Sequence, residues 1–330
     1  MWASKSSVGA VAGLVAIASA ILLAPRLLFS QRRKRLIARK PLSAINACAE
    51  EQASRLRSGE RLVWHFRHGE STANVAEREA IAADVARGDG LTTERKRQEC
   101  DSRFADAALT VAGIRQAEQR RADIAGWQAR PALIVTSPLL RAIQTTAYIF
   151  ADDLSRGVPL VVRPELREFF PNLASSAGRP LPLLREDPAI RALPNADIIL
   201  AALSDEACAG WREEWDSWQA NGTCWQCHSG QNRIDAFKEW LLEQPSRCIA
   251  TVSHFGTVNA LVNREPCIQA FYRQTPEQFA ANPFAWKLGV LPAEGGVRID
   301  VKNCGNVALV YEEVSLTHSL SCACTVRWVS

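Results

Sequence analysis

Short apolar runs with strand character recur along the chain, separated by longer stretches with helical spacing. Arg61 to Phe66 is the first such run, and it ends in Arg67-His68-Gly69. Ala132 to Thr136, Pro159 to Arg163 and Cys248 to Ser253 follow, the last ending on His254. Val297 to Val301 and Val307 to Val314, joined across Asn303-Cys-Gly-Asn306, read as a terminal pair of strands. Between these runs the pattern predicts helices. Leu42 to Leu56 is a short one. Residues 71–105 are polar and helix-prone, broken at Gly88-Asp-Gly90, and Thr110 is an N-cap for a helix running on to Trp127. Ser137 is placed as the cap and Pro138 as the first residue of a helix that carries Arg141. Residues 171–200, rich in Pro and Leu, read as an excursion from the core. Ser204 to Ala220 carries Cys208, Trp211, Trp215 and Trp218 at helical spacing, Arg233 to Glu243 is a further helix, and another starts at Val258. Strands alternating with helices predict an α/β fold, with a mostly parallel sheet covered on both faces and ligands at the carboxyl ends of its strands.

The chain has 330 residues, 47% hydrophobic and 22% charged, which suits one large core with an elaboration. Its net charge of +4 is unevenly spread: residues 1–49 hold eight Lys and Arg and no acid, so the remainder is mildly acidic. That balance argues against a general nucleic-acid binder. Residues 6–25 form an uncharged run long enough to cross a hydrocarbon core, flanked on the C-terminal side by Gln31-Arg-Arg-Lys-Arg35. The expectation is a membrane association through residues 6–25 with the remainder of the chain in the cytosol. Cleavage after Ala18-Ser-Ala20, or removal of an Arg-rich organelle presequence, gives the alternative of a secreted or imported protein. The expected organisation is an anchor or targeting segment over 1–40, a linker over 41–58, the main domain over 59–318 with 171–230 as a cap insertion, and a Cys-containing tail over 319–330. The ten cysteines are too dilute for a disulfide scaffold and read as reduced thiols. Cys224-Trp-Gln-Cys227-His228 has the spacing of a c-type haem attachment site. The single Met, at position 1, leaves no Met axial ligand, so a chance match or a local thiol pair is favoured.

Two histidines, His68 and His254, and two arginines, Arg67 and Arg141, all fall just after strand ends or at a helix start. A parallel sheet gathers its ligands there, and guanidiniums beside a neutral imidazole suit an anion such as phosphate. The segments Arg67-His-Gly-Glu-Ser-Thr-Ala-Asn74, Asp106…Leu109-Thr-x-x-Gly113-x-x-Gln116, Ser137-Pro-Leu-Leu-Arg-Ala-Ile-Gln-Thr145, Leu166-Arg-Glu168 and Ser253-His-Phe-Gly256 resemble the histidine phosphatase, or phosphoglycerate-mutase-like, superfamily. The resemblance runs from about 60 to 312.

It implies a three-layer α/β/α sandwich. It also implies His68 as the nucleophile that takes up a phosphoryl group, with Arg67, Arg141 and His254 on the phosphate oxygens and Glu168 as the general acid. Ser71 and Asn74 fall where the family places further phosphate contacts, and Gly256 and Thr257 are taken with them as substrate-binding. No metal and no cofactor are implied. The expected reaction is hydrolysis of a phosphomonoester, on a small metabolite or a phosphoprotein. The alternatives are a mutase-type phosphotransferase, or a tethered interaction module using the Trp211, Trp215 and Trp218 face. Phe255 stands where many members have a small residue, and Phe169-Phe-Pro-Asn172 replaces the glycine-containing segment of glycolytic mutases. Residues 171–230 match no familiar cap.

Overall fold

The computed structural model describes residues 34–42, 56, 58–88, 94, 97, 101–127, 129–168, 174–205, 208, 215, 216, 230–262, 290–293, 296–299 and 301–315. Eight strands are described: β1 (Lys34–Leu42), β2 (Glu60–Arg67), β3 (Leu133–Thr136), β4 (Leu160–Val162), β5 (Cys248–Ser253), β6 (Val290–Ala293), β7 (Gly296–Ile299) and β8 (Asn306–Ser315). Six of them make one sheet in the order β1-β8-β2-β5-β3-β4, and β6 pairs with β7 apart from it. Strands β2, β5, β3 and β4 run parallel, while β8 lies antiparallel between β1 and β2. The mostly parallel sheet read from the alternation of strands and helices is therefore present.

The helices described over their full length are α1 (Thr72–Arg87), α2 (Val111–Ala125), α3 (Leu140–Ile149), α4 (Ala151–Ser155), α5 (Leu181–Glu186), α6 (Pro188–Arg191), α7 (Ala196–Ala202), α8 (Gly230–Glu243) and α9 (Phe255–Val262). Alternation along the strands sorts the core into two faces. Leu62, Trp64 and Phe66 of β2, with Ile134, Ala250 and Val252, pack on Ala117 and Ile124 of α2 and on Ala142 and Ile149 of α3. Val63, Leu133, Val135, Ile249 and Leu309 point the other way, onto Ile234, Phe237 and Leu241 of α8 and Val258 and Leu261 of α9. Each large side chain buried this way contributes on the order of 1.5–3 kcal/mol. Held from both faces, the strand ends are a rigid base for the residues that follow them.

Some expectations change. Lys34 to Leu42, expected as the basic flank and start of a linker, is edge strand β1, paired along β8 from Lys34↔Ser315 to Leu42↔Ala308. Both sides of β8 are thus occupied, by β1 and β2, so β7 pairs with β6 and the terminal hairpin read across Asn303–Asn306 does not form. Of the excursion expected over 171–200, the described residues 174–200 are largely helical: α5 to α7 bury Leu181, Leu184, Ile190 and Ile199 against Leu139, Leu140 and Ile143. The apolar run 6–25, the motif Cys224/Cys227/His228, Trp211, Trp218, Phe169, Phe170 and the tail 319–330 lie outside the described residues. Trp215 packs beside Ala174 and Ala177. Among the described residues no helix is long and apolar enough to cross a membrane.

Candidate active site

The register of the two central parallel strands assembles the site. Arg67 at the end of β2 stands opposite Ser253 at the end of β5, so the residues that follow the two strands, His68 and His254, emerge beside each other. Their ring centroids are 5.1 Å apart, and both side chains are buried. A backbone bond from His68 N to Ser253 O (2.9 Å) extends the pairing by one residue. On the other side of β5, Thr136 of β3 stands opposite Val252, which brings Ser137 against His254 Nε2 at 2.8 Å. Ser137 was expected to cap the helix that carries Arg141. Instead α3 starts at Leu140, whose N–H is taken by Asp106 Oδ1 (2.8 Å) from a left-handed backbone position, φ 45°.

The hydrogen bonds of His68 fix its tautomer. Nδ1 lies 2.6 Å from the carbonyl oxygen of Gly69, which can only accept, so Nδ1 carries the proton. Nε2 is left with its lone pair and accepts from Arg141 Nε at 3.2 Å. Burial, and then the cations Arg141 and Arg67, push the His68 pKa well below its ordinary 6.5, so the ring is neutral at physiological pH. His254 is lowered in the same way, by burial first and then by Arg141, His68, Arg233 and Arg67; its Nδ1 makes no hydrogen bond. Burial also lowers Arg141, while Glu168 and Asp106 work to hold its charge. A neutral imidazole lone pair in a buried, cationic setting suits attack on an anionic phosphorus centre.

The remaining candidate residues surround this pair. Arg67 donates to Val301 O (3.1 Å) and lies 5.0 Å over the Phe255 ring, so the residue that departs from the family pattern shields one of the two cations. Glu168 is buried and accepts from the Gly256 N–H at 3.0 Å, which ties its carboxyl to the start of α9. Thr257 donates its hydroxyl to the carbonyl of Arg167. Ser71 and Asn74 form a capping box at the start of α1: Ser71 Oγ accepts from Asn74 N (3.3 Å), and Asn74 Oδ1 accepts from Ser71 N (3.2 Å). A second guanidinium nitrogen of Arg141 donates to Ser175 O (2.5 Å), in the turn Ala174–Ser176.

The loop after His68 is braced from α2 and α3. Gln116 Oε1 accepts from Glu70 N (2.9 Å), and Thr145 Oγ1 accepts from Gly69 N (3.0 Å). Thr110, which caps α2 as expected, donates to Glu70 Oε1 (2.9 Å). A Cβ on Gly113 would stand 2.1 Å from Glu70 O, and one on Gly69 would stand 2.7 Å from Gly113 O. The two backbones touch there, and only glycine allows it.

Residues 89–174 match the family model described as Histidine phosphatase superfamily (branch 1). Over that stretch, about a quarter of its length, the chain is similar to the histidine phosphatase superfamily. The matched stretch includes Arg141 and Glu168; His68 and His254 lie on either side of it and are brought in by strands β2 and β5. Among similar solved structures are an alpha-ribazole phosphatase from Shigella flexneri (20% identity, 73% of this chain and 96% of that one, TM-score 0.34) and a mycobacterial glucosyl-3-phosphoglycerate phosphatase in complex with VO3 (18%, 78% and 100%, TM-score 0.36). A phosphoglycerate mutase from Bacillus anthracis is another (14%, 79% and 93%, TM-score 0.40). No curated protein sequence matches this chain.

Three side chains of the domain that help shape the site were not singled out from the sequence. Asp106, whose pKa is raised by burial against the pull of Arg179, bonds both the start of α3 and Arg179 Nε (2.8 Å). Arg179 in turn pairs with Asp187 in the region of α5 to α7. Arg233, near the start of α8, donates to the carbonyls of Glu165, Arg167 and Glu168. Asp106 did lie within a family motif; Arg233 belongs to none.

Proposed function

We propose that this chain hydrolyses phosphomonoesters through a phosphohistidine formed on His68 Nε2. The observation that carries the reading is the Gly69 carbonyl on His68 Nδ1, which leaves Nε2 unprotonated, with its lone pair turned to Arg141 Nε in a pocket shared with His254. In the first step Nε2 attacks phosphorus and the bond from phosphorus to the ester oxygen breaks. Glu168, protonated, gives its proton to the departing oxygen. Arg67, Arg141 and His254 hold the equatorial oxygens as their charge builds. In the second step the Glu168 carboxylate takes a proton from water, whose oxygen attacks phosphorus. The N–P bond then breaks, and inorganic phosphate leaves with His68 neutral again. The substrate is a phosphorylated small molecule or a phosphoprotein.

The test is hydrolysis of p-nitrophenyl phosphate by the full-length chain, with and without a metal chelator, beside His68→Ala. The expected result is activity unaffected by chelation, nitrophenol and inorganic phosphate released in equal amounts, and a loss on the order of a thousandfold or more in the variant. Single-turnover labelling should leave acid-labile, base-stable phosphate on the wild-type chain alone. Labelling retained by His68→Ala, or activity abolished by chelation, overturns the reading. Phosphate passed to an added alcohol in preference to water points to a transferase instead.

A further inference from the structure

We infer that Arg233 is a positioning residue for Glu168, an inference that rests on reading Glu168 as the acid. One guanidinium holds three successive parts of the loop that ends in Glu168: Nη1 donates to Glu165 O (3.3 Å) and Arg167 O (3.2 Å), and Nη2 donates to Glu168 O (3.1 Å). From the opposite side α9 supplies the Gly256 N–H to the Glu168 carboxyl and the Thr257 hydroxyl to the Arg167 carbonyl. The loop is thus pinned between two helices, with Leu166 buried beneath it. Remove the fork, and the carboxyl keeps the Gly256 bond while its own backbone is released on the α8 side. General acid catalysis depends on sub-ångström alignment with the leaving oxygen, so this release acts on proton delivery.

Arg233 also adds positive charge near His254, where it helps to lower that imidazole's pKa. Lysine retains this charge but not the planar fork that spans three carbonyls. The two contributions are therefore separable by substitution.

The experiment compares kcat/KM for p-nitrophenyl phosphate, whose leaving group needs no proton, with that for glycerol 2-phosphate, whose leaving group does. Full-length wild type, Arg233→Ala, Arg233→Lys and Glu168→Gln are measured side by side. The ratio of the two values does not depend on how much of a preparation is folded. Arg233→Ala and Arg233→Lys are both expected to raise it about tenfold or more, and Glu168→Gln to raise it further, toward the 10²–10⁴ typical of a lost general acid. A ratio unchanged in Arg233→Ala while Glu168→Gln raises it overturns the inference and leaves the phosphatase reading standing. A rise in Arg233→Ala that Arg233→Lys does not share also overturns it, because charge and not the fork would then be responsible. An unchanged ratio in Glu168→Gln removes the acid itself, and the inference with it.

Discussion

The spacing Leu109-Thr110-x-x-Gly113-x-x-Gln116 holds no group that could react with phosphate, yet it resembles a family motif. Its residues brace the loop behind the proposed nucleophile: Gln116 holds Glu70 N, Thr110 holds the Glu70 carboxylate, and Gly113 lets the α2 backbone touch Glu70 O. The reason for a glycine at 113 is therefore space, which no periodicity in the sequence reveals. Gly113→Ala forces either α2 or the His68 loop to move, because the atom in the way is backbone. It is expected to cost about 1–3 kcal/mol in urea unfolding and to lower kcat. Gly126→Ala, at the end of α2 with φ −83° and nothing within 4 Å of the new Cβ, should change stability by less than about 0.5 kcal/mol. Equal effects of the two substitutions would refute the close approach as the cause. His68, His254 and Arg141 were legible because each follows a strand or opens a helix. Arg233 was not, because its partners are carbonyls, and a backbone acceptor has no letter in the sequence.

Helix and strand cores followed the hydrophobic pattern, while starts and edges depended on partners from elsewhere. Thr110 caps α2 as its position before the helix predicts, and Gly88 closes α1 with φ 71°. Ser137 has the right chemistry for a cap, but His254 and Asp106 compete for it and for the helix start, so α3 begins later. At α1 the local rule holds: Ser71 and Asn74 satisfy each other's backbone N–H groups. That mutual arrangement bears on their expected role as phosphate contacts. Ser71→Ala should lower stability by about 1 kcal/mol, as loss of an N-cap does. If capping is the whole role of the hydroxyl, KM for p-nitrophenyl phosphate stays within about twofold of wild type. A KM raised tenfold, about 1.4 kcal/mol of lost binding, with unchanged unfolding would show instead that the hydroxyl serves the substrate.

Across the whole molecule, the sheet that delivers the site also stores a penalty for acid. Besides His68 and His254 there is His65, on β2 and wholly buried, with Nδ1 2.9 Å from Thr251 Oγ1 and Nε2 2.8 Å from Tyr311 Oη. Thr251 donates onward to Trp64 O (3.4 Å), so His65 Nδ1 carries the proton, and in the neutral ring Nε2 accepts from Tyr311. Burial, then the charge of Lys238, lower its pKa from 6.5 to about 3. In the unfolded chain each of these imidazoles regains its ordinary value. As pH falls below about 6.5 the unfolded state therefore binds protons that the native state does not, and stability falls by about 1.4 kcal/mol per pH unit for each histidine. With three such groups the slope approaches about 4 kcal/mol per unit, and for His65 it persists down to about pH 3. Asp106 works in the opposite sense, since burial raises its pKa above 3.8 and the native state there binds protons that the unfolded state does not. Urea unfolding at pH 7.5, 6.5 and 5.5 should show stability level at first and then dropping. His65→Gln, whose amide can still bond Tyr311 but cannot titrate, should remove about a third of the lower slope. A flat profile to pH 5.5, or a slope the substitution leaves unaltered, would mean that these rings are not held neutral by the fold.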